Sequence, residues 1–330
     1  MSKDKVIHKT SVGGQALIEG VMMNGPKGAA ISVRHTDGSI KTEMNEVKHI
    51  KDKFSFLGWP FIRGIVNFIE SMVIGYKSLM RSAELSGQLE AEENTEDMSK
   101  LDKWLNDHLG PKMVTAITAV MSVIVVGVCM LLFFYAPTYL VDLVDSKLLG
   151  GAISDFHPFF EGIIKMIIVV CYMLAVSQMN DIKRVFMYHG AEHKSIFCYE
   201  KGLELTVENV RTCKRFHPRC GTSFIFIVLI TSVIVSSVTV LVFPILNSPD
   251  YRLLWTAVKI IAILPVVTGI SYELIRYAGR HDNIVTKIFS APGLWMQRVT
   301  TKEPTDDMIE VAITSIKAVI TDNPEDDKLV

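Results

Sequence analysis

Apolar positions gather into four long runs, roughly Met113–Leu140, Phe159–Met179, Thr222–Leu246 and Leu253–Ile275. Each reaches the twenty or so mostly apolar residues that a helix needs to cross a bilayer. A fifth stretch, Phe61–Met80, has a different pattern. At helical spacing Arg63, Asn67, Glu70, Lys77 and Arg81 fall on one face, and Ile62, Ile65, Phe68, Ile69, Met72, Val73 and Tyr76 on the other. That pattern predicts an amphipathic helix lying on the membrane or on the rest of the protein, because charges at mid-bilayer are costly. Pro60 suits its first turn.

The polar segments between these runs suggest a small cytoplasmic α+β portion. Ala29–His35 and Ile40–Val47 read as two strands joined by the tight turn Thr36-Asp37-Gly38. The preceding GGQALIEGVMMNG is glycine-rich and suggests turns or close backbone approach. The predicted fold class is a mainly α membrane protein, four transmembrane helices with a cytoplasmic portion that includes an N-terminal β-hairpin unit. The boundaries are an N-terminal β unit over 1–58, the interfacial helix over 59–85, and an acidic linker with a short helix over 86–112. The transmembrane region over 113–279 follows, with a polar loop at 180–221, and then C-terminal helices over 280–330. No breaker but Gly162 and Gly190 interrupts Phe159–Lys201, so the second span should run on as one helix until Gly202 ends it. Thr206 should cap a short helix, and Thr222 and Ser223 the third span. Ile284–Val299, with Trp295, reads as a short amphipathic stretch. Ile309, Ala312, Ile313, Ile316, Val319 and Ile320 form the stripe of a final packed helix.

Charge orients the spans. Lys100, Lys103 and Lys112 precede the first, and Lys183 to Arg219 holds eight Lys and Arg between the second and third. Arg280, Lys287, Arg298 and Lys302 follow the fourth, while the other two connections are poor in them. The positive-inside rule then predicts a multi-pass membrane protein with both termini cytoplasmic. The N-terminus lacks an apolar core, so no cleavable signal peptide is expected. The composition agrees: 49% apolar and 21% charged residues in 330, with net charge −1, is too apolar for an ordinary soluble domain and too balanced for a nucleic-acid surface. Five cysteines, two of them inside apolar runs, do not form an extracellular disulfide framework.

Candidate chemistry concentrates in the polar loop. HGAEH at 189–193 puts His189 and His193 one helical turn apart on one face, where both imidazoles can reach one metal ion. Glu192 beside them can accept a proton from an attacking water. The same pattern is the inverted zincin motif of some metallopeptidases. The competing reading is two core histidines with satisfied hydrogen bonds, on the face that holds Ile182, Phe186, Ile196 and Phe197. Gly190 within this helix costs about 1 kcal/mol relative to alanine, which suggests that something approaches the backbone there. A further ligand is available from His217 and Cys220 in HPRC, or from Glu273 near the end of the fourth span, which Pro265 and Gly269 should kink. Asp282 is a weaker candidate. A separate structural zinc site of Cys213, His217 and Cys220 is an alternative, as are a plain turn at HPRC and a salt bridge from Glu273 to Arg276. The implied cofactor is a divalent metal, with zinc the first candidate. Apart from Glu273 the spans seem to carry few charges.

Six blocks, GGQALIEGVMMNGP, YHGAEHK, LTVENVR, HPRCGTSF, SYELIR and PGLWMQRVTTKEP, are spread along the chain, and the resemblance they carry covers nearly all of it. In this order they resemble the bacterial YqhQ family of membrane proteins of unknown function, catalogued as predicted metal-dependent enzymes. The resemblance implies the same architecture and carries over no catalytic residues, although His189, Glu192, His193, His217, Cys220 and Glu273 all fall inside its blocks. Three functions remain in play: a membrane-embedded metal-dependent hydrolase, a transporter or channel-type protein working as a homo-oligomer, and a non-enzymatic scaffold or assembly factor. The lipid bilayer is the expected partner in each. The protein partner that a scaffold requires has no signature in the sequence.

Overall fold

The structure is a computed structural model describing residues 9–46, 54–87, 111–153, 156–281, 283–321, 323 and 326–327. Most of the expected acidic linker, its short helix and Asp282 lie outside the described residues. The chain divides into two compact units, one of residues 1–88, 172–228 and 265–330, the other of residues 89–171 and 229–264.

The first unit is built on a four-stranded antiparallel sheet in the order β1-β2-β3-β4: Gly13–Leu17, Gly20–Gly25, Gly28–Arg34 and Ile40–Asn45. The expected hairpin is its β3–β4 half. The glycine-rich stretch before it, read as turns, is the β1–β2 hairpin. Helices cover both faces of the sheet, so β2 and β3 are apolar runs without alternation, the composition of strands buried on both sides. Leu17, Met22, Ala29, Ile31 and Val33 pack under α1 (Ile62–Leu85). Val21, Met23 and Ala30 face α4 (Asn180–Glu200) and α9 (Asp306–Val319). The α9 stripe is buried as its spacing predicted, with Ile309, Ala312, Ile316 and Val319 in this core. On α1 the predicted apolar face is exposed at Phe68, Ile69, Met72, Val73 and Tyr76.

Among the described residues, four helices are long and apolar enough to cross a membrane, which suggests a multi-pass membrane protein. The first is α2, which joins Pro111–Met130, Leu131–Tyr135, Ala136–Val144 and Asp145–Leu149 through two π-helical turns. The others are α3 (His157–Val176), α6 (Gly221–Val242), and α7, which joins Arg252–Val258, Lys259–Ile263 and Leu264–Arg280. The helix α1 is not among them. The second span does not continue unbroken as expected. α3 stops at Val176, Ser177–Met179 forms a turn, and α4 starts afresh at Asn180. Gly202 (φ +63°) follows the end of α4, and Thr206 caps α5 (Val207–Thr212) through Asn209 N–H, both as predicted. Thr222 and Ser223 do not cap the helix as expected, since α6 already begins at Gly221. The chain ends in α8 (Ile284–Thr300) and α9.

The second unit corrects the expectation of few charges in the spans. Glu161 on α3 is 3% exposed and holds the ammonium groups of Lys165 at 2.8 Å and Lys259 at 2.9 Å. Beside it Gly162 leaves room for Val233 of α6; a Cβ there would stand 2.0 Å from the valine Cγ2. Two cations share one anion, so the two possible charge deletions are unequal. Glu161→Gln leaves two ammonium groups without a counter-ion and should cost about 3–5 kcal/mol. Lys259→Met leaves the neutral Glu161–Lys165 pair. Thermal melts in detergent should therefore rank Glu161→Gln well below Lys259→Met; equal melting points would refute this account of the cluster.

Candidate metal centre

The centre is built on α4, a helix of polar sequence that is nevertheless buried on almost every side. Tyr188 and every residue from Gly190 to Ile196 are buried, as are Cys198 and Glu200. The sheet, α5, α9 and the segment linking α8 to α9 surround it. That link comes so close to Gly190 that a Cβ there would stand 2.0 Å from the Lys302 carbonyl oxygen. Lys302 N–H donates to the Phe186 carbonyl of α4 at 2.8 Å. Glu303 in the same link pairs with Lys194 and, at 3.3 Å, with Arg215. The backbone approach that Gly190 suggested is therefore present, and the approaching segment is this link.

Both histidines are fixed by backbone carbonyls. His189 Nδ1 lies 2.8 Å from the Thr300 oxygen and His193 Nδ1 lies 2.5 Å from the Arg215 oxygen. A carbonyl only accepts, so each Nδ1 carries the proton and each neutral ring keeps its lone pair on Nε2. His189 Nε2 is 3.2 Å from Cys220 Sγ. The ligand-capable atoms of His189, His193 and Cys220 lie within 4.8 Å of one another. Donation of the distal N–H to a carbonyl is how metal-ligating histidines are usually oriented. Burial holds His193 below the ordinary imidazole pKa, with His189 adding to the effect, which favours the neutral form that binds metal. Burial pushes the Cys220 thiol up, but its interactions with His193 and the hydrogen bonds of Thr222 outweigh it and the net shift is downward.

Glu192 stands beside this group. Burial pushes its carboxyl up to about 8, against the pull of His189 and of the Gly14 backbone. Gly14 lets β1 press on it, since a Cβ there would lie 3.0 Å from Glu192 Cγ. Its Oε2 is buried and has no hydrogen-bond partner among the described residues.

The remaining sequence candidates stand elsewhere. His217 packs its ring 5.7 Å from that of His193, but its Nε2 faces Glu200 at 3.5 Å and its Nδ1 faces Arg219 N–H at 3.4 Å. Glu273 is gripped by Arg63 through two bonds of 2.6 and 2.5 Å, instead of by Arg276. Cys213 hydrogen-bonds Cys198, and the set Cys213, His217 and Cys220 does not form a group of ligands among the described residues. Sequence reasoning missed several supporting residues. Gln297 of α8 clamps the His217 backbone with two bonds of 2.7 Å, and Thr300 and Arg215 supply the carbonyls. An isolated Gln on the inner face of an amphipathic helix was the one available signal, since carbonyls leave no trace in side-chain patterns.

A family model described as "Protein of unknown function (DUF1385)" matches residues 59–322. The chain belongs to this family. It is also 35% identical over 322 residues to the uncharacterized protein YqhQ of Bacillus subtilis (strain 168), covering 97% of this chain and 95% of that protein. No solved structure matches it. Neither match assigns a residue a role, so the argument for a metal centre rests on the geometry.

Gly190→Ala tests how that geometry is held. Alanine gains about 1 kcal/mol of helix propensity, but its methyl meets a backbone oxygen that moves only with the whole link. Overpacking of this kind costs about 1–3 kcal/mol or more. The expected outcome is a lower melting temperature together with weaker metal retention, because the Thr300 carbonyl shifts off His189. A melting temperature at or above that of the wild type would show that the link does not rest on this contact.

Proposed function

We propose that the chain is a membrane-bound, metal-dependent hydrolase whose ligands are His189, His193 and Cys220 and whose general base is Glu192. The observation that carries this reading is the pair of Nδ1–carbonyl bonds, which leave two Nε2 lone pairs beside one buried sulfur. Three protein ligands are the number typical of catalytic sites, which keep a further position open, whereas structural zinc sites use four. The imidazole and thiolate donor set fits zinc better than magnesium or calcium. A divalent ion held there supplies Lewis acidity for hydrolysis of an ester, amide or phosphoester bond. Glu192 takes the proton from the attacking water on its unpartnered Oε2. A buried carboxyl with an unfilled oxygen is otherwise a cost of about 1–3 kcal/mol without return.

The placement of the site follows from charge and chain order. Cys220 directly precedes α6, HGAEH follows the turn after α3, and this polar loop carries eight Lys and Arg. The positive-inside rule then puts the site at the cytoplasmic face of the bacterial plasma membrane, with both termini on that side.

Metal content of the purified chain tests the reading. About one zinc per chain is expected in the wild type and little in His189→Ala, His193→Ala and Cys220→Ser. Chelation should lower the melting temperature of the wild type but not of these three variants. Glu192→Gln should keep the metal and lose about 10²–10⁴ in hydrolytic rate. A folded wild type that stays metal-free at micromolar zinc overturns the proposal. A transport reading draws on the ion cluster of Glu161, Lys165 and Lys259 inside candidate spans, since ionisable groups there commonly mark an ion path. It requires flux in liposomes that Glu161→Gln abolishes while metal content is unchanged.

A further inference from the structure

Next to the metal centre, within the same unit, lies a cavity of about 250 Å³. His217, whose ring packs 5.7 Å from that of His193, is among its lining residues. Lys9, Arg219 and Lys287 line it, together with the carboxylate of Glu200. Three cations against one anion leave two positive charges in excess. The anion is already engaged: Glu200 takes Arg219, accepts Thr10 N–H at 3.0 Å and faces His217 at 3.5 Å. The ammonium of Lys287, by contrast, has no ion pair among the described residues, and that of Lys9 reaches only the Gly279 carbonyl, at 3.3 Å.

The rest of the lining is of two kinds. The hydroxyls of Thr286 and Ser290 are buried, while Phe197, Pro218 and Leu294 offer apolar surface. The cavity also touches Ala278 and Gly279, in the last turn of the apolar helix α7. Its α8 wall is amphipathic in a telling way. Thr286, Ser290 and Gln297 are buried, whereas Ile284, Ile288 and Trp295 are 75%, 66% and 54% exposed. Exposed aliphatic side chains with a tryptophan suit a helix lying in the headgroup layer. A soluble anion has no use for that apolar surround, but an anionic lipid uses both parts.

We propose that this cavity binds the phosphate-bearing headgroup of an anionic lipid, with Lys9, Arg219 and Lys287 as its cationic contacts. As a statement about substrate class this rests on the hydrolase reading: the cavity is lined by His217, whose ring packs against that of the candidate ligand His193. As a statement about binding it stands alone.

The experiment uses the full chain in mild detergent, titrated with short-chain phosphatidic acid, short-chain phosphatidylcholine and inorganic phosphate, with metal content measured on the same preparations. Phosphatidic acid should bind at least tenfold more tightly than either of the others. The double variant Lys9→Gln/Lys287→Gln leaves Arg219 and Glu200 in place and should bind it about 10- to 30-fold more weakly, as expected for two cations near a headgroup. His193→Ala should lose metal and keep lipid affinity within about twofold. Equal affinity for phosphatidylcholine overturns the anionic specificity, and equal affinity for inorganic phosphate overturns the lipid. Unchanged binding by a folded double variant overturns the site. If the wild type holds no metal but these lipid results stand, the hydrolase reading fails and the binding site does not.

Discussion

The candidate site depends on one close contact, the backbone of Lys302 lying against the backbone of α4 at Gly190. No side chain fits between them. The contact brings Thr300 within reach of His189 and Glu303 within reach of Lys194 and Arg215. Arg215 in turn gives its carbonyl to His193. A glycine that weakens an isolated helix by about 1 kcal/mol thus lets three distant segments meet, and their backbone oxygens set the tautomers of both histidines. The proposed ligand reading draws on this geometry: both Nδ1 atoms are held by carbonyls, and His189 Nε2 faces the Cys220 sulfur at 3.2 Å.

The second constraint is the burial of a polar helix. Desolvating charged groups costs several kcal/mol each unless they are paired, and α4 shows that pairing residue by residue. Lys194 has Glu303 and the Arg211 carbonyl, and Glu200 has Arg219, Thr10 and His217. These partners come from the N-terminal segment, the polar loop and the α8–α9 link, so folding of the first unit and assembly of the candidate site are one event.

Local pattern was readable where local physics decides. The four apolar helices follow from length and hydropathy, the α9 stripe from its 3.6-residue period, and the meeting of His189 with His193 from their i, i+4 spacing. The β1–β2 hairpin was not readable, because strands covered on both faces lose the alternation by which strands are recognised. The turn at Ser177–Met179 was also hidden, since no proline or glycine marks it. Glu161 and Lys165 stand i, i+4 on α3, but Lys259 is distant in sequence and joins them only where α3 and α7 pack. Cys220 was legible as one of several third ligands; choosing it over His217 required seeing that the His217 nitrogens already face Glu200 and Arg219.

That choice has a consequence for Glu192. Around α4 the fold supplies a partner for nearly every buried charge, drawing on segments up to about two hundred residues away in sequence to do so, as Thr10 and Glu200 show. At Glu192 it supplies one contact, the Gly14 backbone, and leaves Oε2 bare beside the three ligand-capable side chains. A chain able to satisfy Glu200 three times over was not short of donors. Glu192, pushed up to about 8 by its burial, keeps an oxygen without a partner among the described residues, and it stands next to the His–His–Cys group. A cation at that group would relieve it, because an opposite charge nearby stabilises a carboxylate that desolvation disfavours. On this argument the bare oxygen of Glu192 and the grouping of His189, His193 and Cys220 support the same proposed site.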